Sequence, residues 1–358
     1  MRKFTIISLI GLLFIASCSK ELPGGGEVKQ VEMGFSIAPA EFGAVVTRAG
    51  VAVNESVVMN LWILQFDGTT DASVLIRSEY KASVGNLADL QIILNQGANH
   101  RVLFVANTFD PALFNETNAP LNTYTFLQFM QKTFSISDEA GMFTGSTTKC
   151  LRMYGSYEGA VPNKNSSVLL YRIGARVNLT YTSEDVSSVI DGVRFRITSV
   201  QLKNVPSTSS YISNPFNSVV FTPPAVVDYP VTTGSQTGAS GEAYSIGDYI
   251  GNVSYYMPEN IRGVIASVGS QHQKPTYAPE KSTWIEIKGE GVSSDGRVNE
   301  NVTFKLYLGN NLTSSYNINA NTQYNITLKF KGVSLTDARL EVIRLSDIET
   351  FQEVVITW

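Results

Sequence analysis

The run Val168–Tyr181 constrains the fold more than any other stretch of the chain. Leu169, Tyr171, Ile173, Ala175, Val177 and Leu179 take every second position, and Leu170, Arg172, Gly174 and Arg176 take the positions between. A spacing of two matches the alternation of side chains across a strand, not the turn of a helix. Val193–Val205 repeats the pattern, with Phe195, Ile197 and Ser199 set against Val200 and Leu202. In Val57–Asp67 the apolar residues Val57, Val58, Leu61, Trp62, Ile63, Leu64 and Phe66 are almost continuous, as in a strand buried on both faces.

Further strands are expected at Gln30–Pro39, Val74–Tyr80, Leu90–Leu94, Arg101–Ala106, Met153–Tyr157, Val253–Met257, Thr283–Lys288, Asn301–Leu308, Tyr324–Lys331, Leu340–Leu345 and Phe351–Trp358. Gln96–Asn99 reads as a turn joining its two neighbours, and Asp295-Gly296 as a hairpin turn. One helix is expected within Thr123–Phe134, where Tyr124, Leu127, Met130 and Gln131 recur at helical spacing. Pro206–Gly247 reads as long loops with short strands. The expectation is an all-β chain of two antiparallel β-sandwiches in series, with one short helix in the first. The division is placed at 49–165 and 166–358.

The first fifty residues carry three signals. Arg2 and Lys3 precede an apolar run from Phe4 to Ala16, which has the length of a secretory signal and is short for a membrane span. It ends in Ile15-Ala16-Ser17-Cys18, the pattern of a lipoprotein cleavage site with Cys18 as the lipid acceptor. Residues 1–18 are thus expected to be a lipoprotein signal peptide. Residues 19–48 follow as a leash and a removable first strand, Val31–Ile37, and Thr47-Arg48-Ala49 offers a trypsin-like protease a cut between Arg48 and Ala49. Membrane contact is then expected only through the lipid on Cys18.

Composition narrows the function. A net charge of −4 and the lack of a basic run argue against nucleic acid. With Cys18 lipidated, Cys150 has no disulfide partner and reads as a buried structural thiol, a reactive role being the minor alternative. His100 and His272 read as solvated loop residues, neither with a second ligand at metal spacing. Nucleophile-elbow, zinc-protease and phosphate-loop motifs are missing. No cofactor, metal or catalytic residue is expected. A hydrolase built on scattered carboxylates stays open as a minor reading.

Sandwich edges pair with other strands. Loss of Gln30–Pro39 would open an apolar groove lined for Val31, Met33, Phe35 and Ile37. A neighbour's tail, through Leu340, Val342, Val354, Ile356 and Trp358, could refill it. Head-to-tail repetition of that contact gives an open filament.

Four places carry a resemblance: Ile15–Cys18; Thr47-Arg48-Ala49 followed by Leu61–Asp67; Tyr256-Met257-Pro258-Glu259-Asn260-Ile261-Arg262-Gly263; and Tyr307–Asn310 through Tyr316–Tyr324, read as a near-C-terminal hairpin. In this order they resemble the fimbrillin family of Bacteroidetes, the lipoprotein-derived subunits of type V pili. The resemblance implies transthyretin-like sandwiches, acylation at Cys18, export to the outer membrane and cell surface, and cutting after Arg48 by an Arg-specific surface protease. It also implies polymerisation with other pilus subunits by strand donation. A structural or accessory fimbrial subunit serving cell adhesion is therefore expected, with a host protein or glycan as ligand. The alternatives are the pilus anchor, which keeps its lipid uncut, and a surface lipoprotein that binds glycan or host protein without polymerising. The binding reading expects exposed aromatics, for which Tyr211, Phe216, Phe221 and Tyr229 are the candidates.

Overall fold

A computed structural model describes residues 28–40, 55–145, 149–163, 166–184, 193–213, 224–239, 241, 243–331, 340–346 and 354–356. The strands β1 (Gln30–Pro39), β2 (Leu61–Phe66), β3 (Leu75–Lys81), β4 (Leu90–Asn95) and β5 (Gly97–Ala106) come first. Helix α1 (Phe126–Gln131) and the short strands β6 (Thr133–Ser135), β7 (Phe143–Thr144) and β8 (Cys150–Leu151) follow. Then come β9 (Met153–Val161) and β10 (Ser166–Arg172). Seven of these strands form a sheet in the order β3-β2-β5-β9-β10-β1-β4.

Every residue of β2 is buried, as its continuous apolar run requires. Leu61 and Ile63 pack with Met33, Phe35, Ile92 and Phe104 on one side. Trp62, Leu64 and Phe66 pack with Phe114, Phe126 and Phe129 on the other. Helix α1 starts at a capping box, in which Thr125 and Gln128 each satisfy the other's backbone N–H. Its buried face is Phe126, Phe129 and Met130. Leu127, expected on that stripe, is at the surface.

Gln96–Asn99 does not turn one strand back on its neighbour. β4 pairs with β1, while β5 pairs with β2 and β9, so the chain crosses between strands that are not partners. The Gln65 amide serves that crossing: Asn95 N donates to Oε1 at 2.8 Å, and Nε2 donates to Asn95 O at 2.7 Å and to His100 Nδ1 at 2.6 Å. His100 is consequently a buried strand residue, not the solvated loop histidine expected, and burial pushes its pKa down. His272 is exposed. Cys150 is a buried thiol whose pKa burial pushes up.

The chain changes sheets at Ile173. The strand β10, which lies after the expected division at 165/166, pairs within the first sheet. Its Val168, Leu170 and Arg172 are buried, whereas Leu169 and Tyr171, expected on the apolar face, are exposed. Next come β11 (Gly174–Ser183), β12 (Val193–Lys203), β13 (Val205–Pro206), β14 (Thr208–Ser210), β15 (Val226–Val227), β16 (Ser235–Thr237), β17 (Ala243–Ile246) and β18 (Ile250–Pro258). The chain continues through helix α2 (Lys274–Tyr277), β19 (Trp284–Ser293), β20 (Val298–Tyr307) and β21 (Gln323–Phe330). It ends in β22 (Leu340–Ser346) and β23 (Val354–Ile356). A seven-stranded sheet, β16-β17-β18-β11-β21-β22-β23, and a three-stranded sheet, β12-β19-β20, share one core. Asp295-Gly296 lies between the paired strands β19 and β20, with Gly296 at φ 82°.

The architecture is all-β, and its sheets are antiparallel apart from two pairs. β1 runs parallel to β10, and β11 runs parallel to β21. In β12 a bulge between Ile197 and Ser199 shifts the register against β19. Phe195, Ile197, Val200 and Leu202 therefore all face the core, although the plain alternation sets the first two against the last two. The two halves interlock. β6 pairs with β14, Ile136 and Phe143 enter the second core, and Tyr211 and Ile212 enter the core around α1.

Candidate functional site

The sequence singles out β1 as a removable strand, and its surroundings define the site. β1 is an interior strand, not the sheet edge that the sequence suggests. Phe35–Pro39 pair with Ser166–Leu170 of β10, and Gln30–Phe35 pair with Asn95–Leu90 of β4. Its alternation sends Met33, Phe35 and Ile37 inward, each almost wholly buried, with Val31 half-buried behind them. The Phe35 ring meets Phe104 at 5.1 Å and Tyr157 at 5.6 Å, both edge-on. Glu32, Ser36 and Ala38 face outward. Three fully buried apolar side chains of this size contribute roughly 5–9 kcal/mol to retaining the strand.

The two ends of β1 are tied by different means. At the start, Gln96 N donates to Lys29 O at 2.8 Å. At the far end, Ala40 N donates to Leu170 O at 2.8 Å, and the Arg172 guanidinium donates through Nη1 to Ala40 O. The same guanidinium donates from Nε to Glu55 O at 2.9 Å, from Nη2 to Ser56 Oγ at 3.0 Å and from Nη1 to Asn321 Oδ1 at 3.1 Å. It is 2% exposed, and burial pushes its pKa down against the opposing pull of Glu55. The Glu55 carboxylate pairs with Arg176 at 3.1 Å and accepts from the Tyr256 hydroxyl. The chain thus leaves Arg172 at Ala40 and returns to it at Glu55. Arg48 and Ala49 fall in the intervening segment, outside the described residues; Cys18, ahead of β1, is outside them too.

The candidate donor strands lie in the second sheet. β22, with Leu340 and Val342, pairs antiparallel with β21, and β23, with Val354 and Ile356, pairs with β22 as the outermost strand of the second sheet. Trp358 is outside the described residues. Sequence brings neither the Arg172 node nor the Glu55 contacts into view, because the partners lie far apart along the chain. The one local signal is an arginine amid apolar alternation.

Of the four aromatic candidates for a binding face, Tyr211 and Tyr229 are buried in the two cores. Phe216 and Phe221 lie outside the described residues. The two C-terminal resemblance stretches meet. Asn260 and Ile318 exchange backbone hydrogen bonds at 2.8 and 2.9 Å, and Glu259 accepts from Ala320 N at 3.1 Å. The segment from Tyr307 to Tyr324 is not a hairpin, since β20 and β21 belong to different sheets. It is shaped instead by the buried Lys274, whose ammonium donates to the carbonyls of Asn311 at 3.0 Å and Ser315 at 2.7 Å. No group of three or more His, Cys, Asp or Glu able to hold a metal occurs among the described residues.

A domain of unknown function, DUF4906, matches residues 255–328, the span holding these two stretches. No curated protein matches the sequence. The fold resembles that of the tip fimbrial protein Mfa3 of Porphyromonas gingivalis, at 16% identity and a TM-score of 0.50, covering 92% of this chain and 100% of that one. It also resembles a candidate cell adhesion protein of Parabacteroides distasonis, at 14% identity and TM-score 0.55 over 90% of this chain and 98% of that one. A candidate cell adhesion protein of Bacteroides eggerthii aligns at 14% identity and TM-score 0.52 over 90% and 97%. The structural neighbours of this chain are thus fimbrial and cell-adhesion proteins of Bacteroidetes, and it shares their all-β fold.

Proposed function

We propose that the protein is a structural or accessory subunit of a type V pilus, exported as a lipoprotein with its lipid on Cys18 and displayed at the outer membrane. An Arg-specific protease cuts between Arg48 and Ala49, β1 leaves, and the tail of a neighbouring subunit, Leu340–Trp358, takes the vacated slot. The observation that carries this reading is the setting of β1. It is paired on both sides, it inserts Met33, Phe35 and Ile37 into the core, and the segment that follows it contains Arg48. A strand in that position leaves two rows of backbone partners and an apolar trough when it goes, which is what an incoming strand needs. The protein has no catalytic role in this reading. A non-polymerising binding protein gains nothing from Tyr211 and Tyr229, which are core residues.

Trypsin treatment of the purified uncut protein tests the reading. The expected result is a clean cut after Arg48 followed by a ladder of SDS-resistant oligomers, with neither in Arg48→Ala. A stable monomer after cutting overturns polymerisation.

A further inference from the structure

We infer that Arg172 is a register stop for whichever strand occupies the slot between β4 and β10. It would select a strand that presents a free backbone carbonyl one residue past its paired end. The inference rests on the strand-exchange reading and concerns the specificity of the same slot.

β1 and β10 remain paired up to Pro39 opposite Leu170. The next residue, Ala40, still donates its N–H to Leu170 O, and its carbonyl then accepts from Arg172. That guanidinium cannot follow a displaced strand. Nε and Nη2 are held by Glu55 O and Ser56 Oγ, Asn321 Oδ1 takes Nη1 and the Arg172 backbone N–H, and the side chain is buried. A strand shifted by one residue would turn its apolar row away from the core. A shift of two would restore the row but move the carbonyl about 7 Å along the strand. Only the register of β1 satisfies the apolar trough and the guanidinium together. A strand lacking the carbonyl leaves a donor of a buried cation unmet, and hydrogen bonds to charged groups are among the stronger ones in proteins.

The test adds two synthetic peptides in excess while the chain is being cut, so that each competes with a neighbour's tail for the slot. One is Gln30–Ala40 carboxamide. The other is Gln30–Pro39 carboxamide, whose terminal amide keeps the N–H aimed at Leu170 O but lacks the Ala40 carbonyl. The longer peptide is expected to bind about ten- to a hundredfold more tightly. In Arg172→Met that ratio should fall to near one, whereas a purely structural loss would weaken both peptides alike. Equal binding to the wild-type chain overturns the register stop and leaves strand exchange standing, and this comparison needs no folded variant. Entry of neither peptide, at an excess that should outcompete a neighbour's tail, overturns exchange at this slot, and the stop with it.

Discussion

His100 shows how one buried side chain can make a strand crossing sensitive to acid. Gln65 uses both ends of its amide on the Asn95 backbone, so its Nε2 must donate to His100 Nδ1, and that nitrogen must be unprotonated. Flipping the amide to accept from a protonated imidazole would break both contacts to Asn95. Burial lowers the folded-state pKa, opposed by Asp67 and by the Asn95 backbone. The unfolded chain therefore binds the proton more readily than the folded one. The contribution of His100 is complete above its ordinary pKa of about 6.5 and is lost as pH falls below it toward the folded value. Urea midpoints should drop between pH 7.5 and pH 5, and His100→Gln should flatten that part of the profile. Little of this was legible in the sequence. Asn99-His100-Arg101 has the polarity of a loop, and the partner that makes it core is Gln65, which the strand pattern treats as one polar residue in an apolar run.

At the level of the element, alternation identified most strands and misassigned faces where the backbone departs from a regular pleat. β12 is the clearest case. The extra residue at Thr198 brings two out-of-phase halves onto one face, and Gly289 on β19 makes room for it, since a side chain there would meet Arg196 O at 2.2 Å. Deleting Thr198 should turn either Phe195 and Ile197 or Val200 and Leu202 out of the core. The expected outcome is loss of the cooperative unfolding transition, read by circular dichroism on heating. A variant that melts like the wild type would show that the bulge is dispensable. β10 and β11 failed in a related way. Their combined alternation is unbroken in sequence, yet the chain changes sheets at Ile173 and the buried phase changes with it. β1 was legible as a strand with Met33, Phe35 and Ile37 inward, because period and polarity agree there. That it lies inside the sheet was not, since its partner β10 is separated from it by most of the first half.

At the level of the whole molecule, the two halves cannot be read as beads on a string. Phe134 and Tyr211 stand 5.1 Å apart, Tyr211 also packs against Phe114, and Glu139 accepts from Tyr256 N at 2.9 Å. The second core and the core around α1 thus each contain side chains from the other half. Calorimetry of the full chain should show one transition, and Tyr211→Ala should lower it as a whole, by about 3 kcal/mol or more, as for other buried aromatics cut to alanine. Two resolved transitions, with only one moved by the substitution, would contradict the interlock. This coupling is not legible in the sequence, because the short strands β6 and β14 carry little pattern of their own.

The return of the chain to a single guanidinium has a kinetic consequence. While residues 41–54 are intact, the leader strand competes for its slot from a short tether, at an effective concentration of about millimolar. Any strand arriving from solution must beat that figure. If the tether is cut as proposed, the same strand competes only at its bulk concentration, and at a cell surface that concentration would be diluted toward zero. The direction of exchange would then follow from the leader's escape, even if the newcomer binds the trough no more tightly than the strand it replaces.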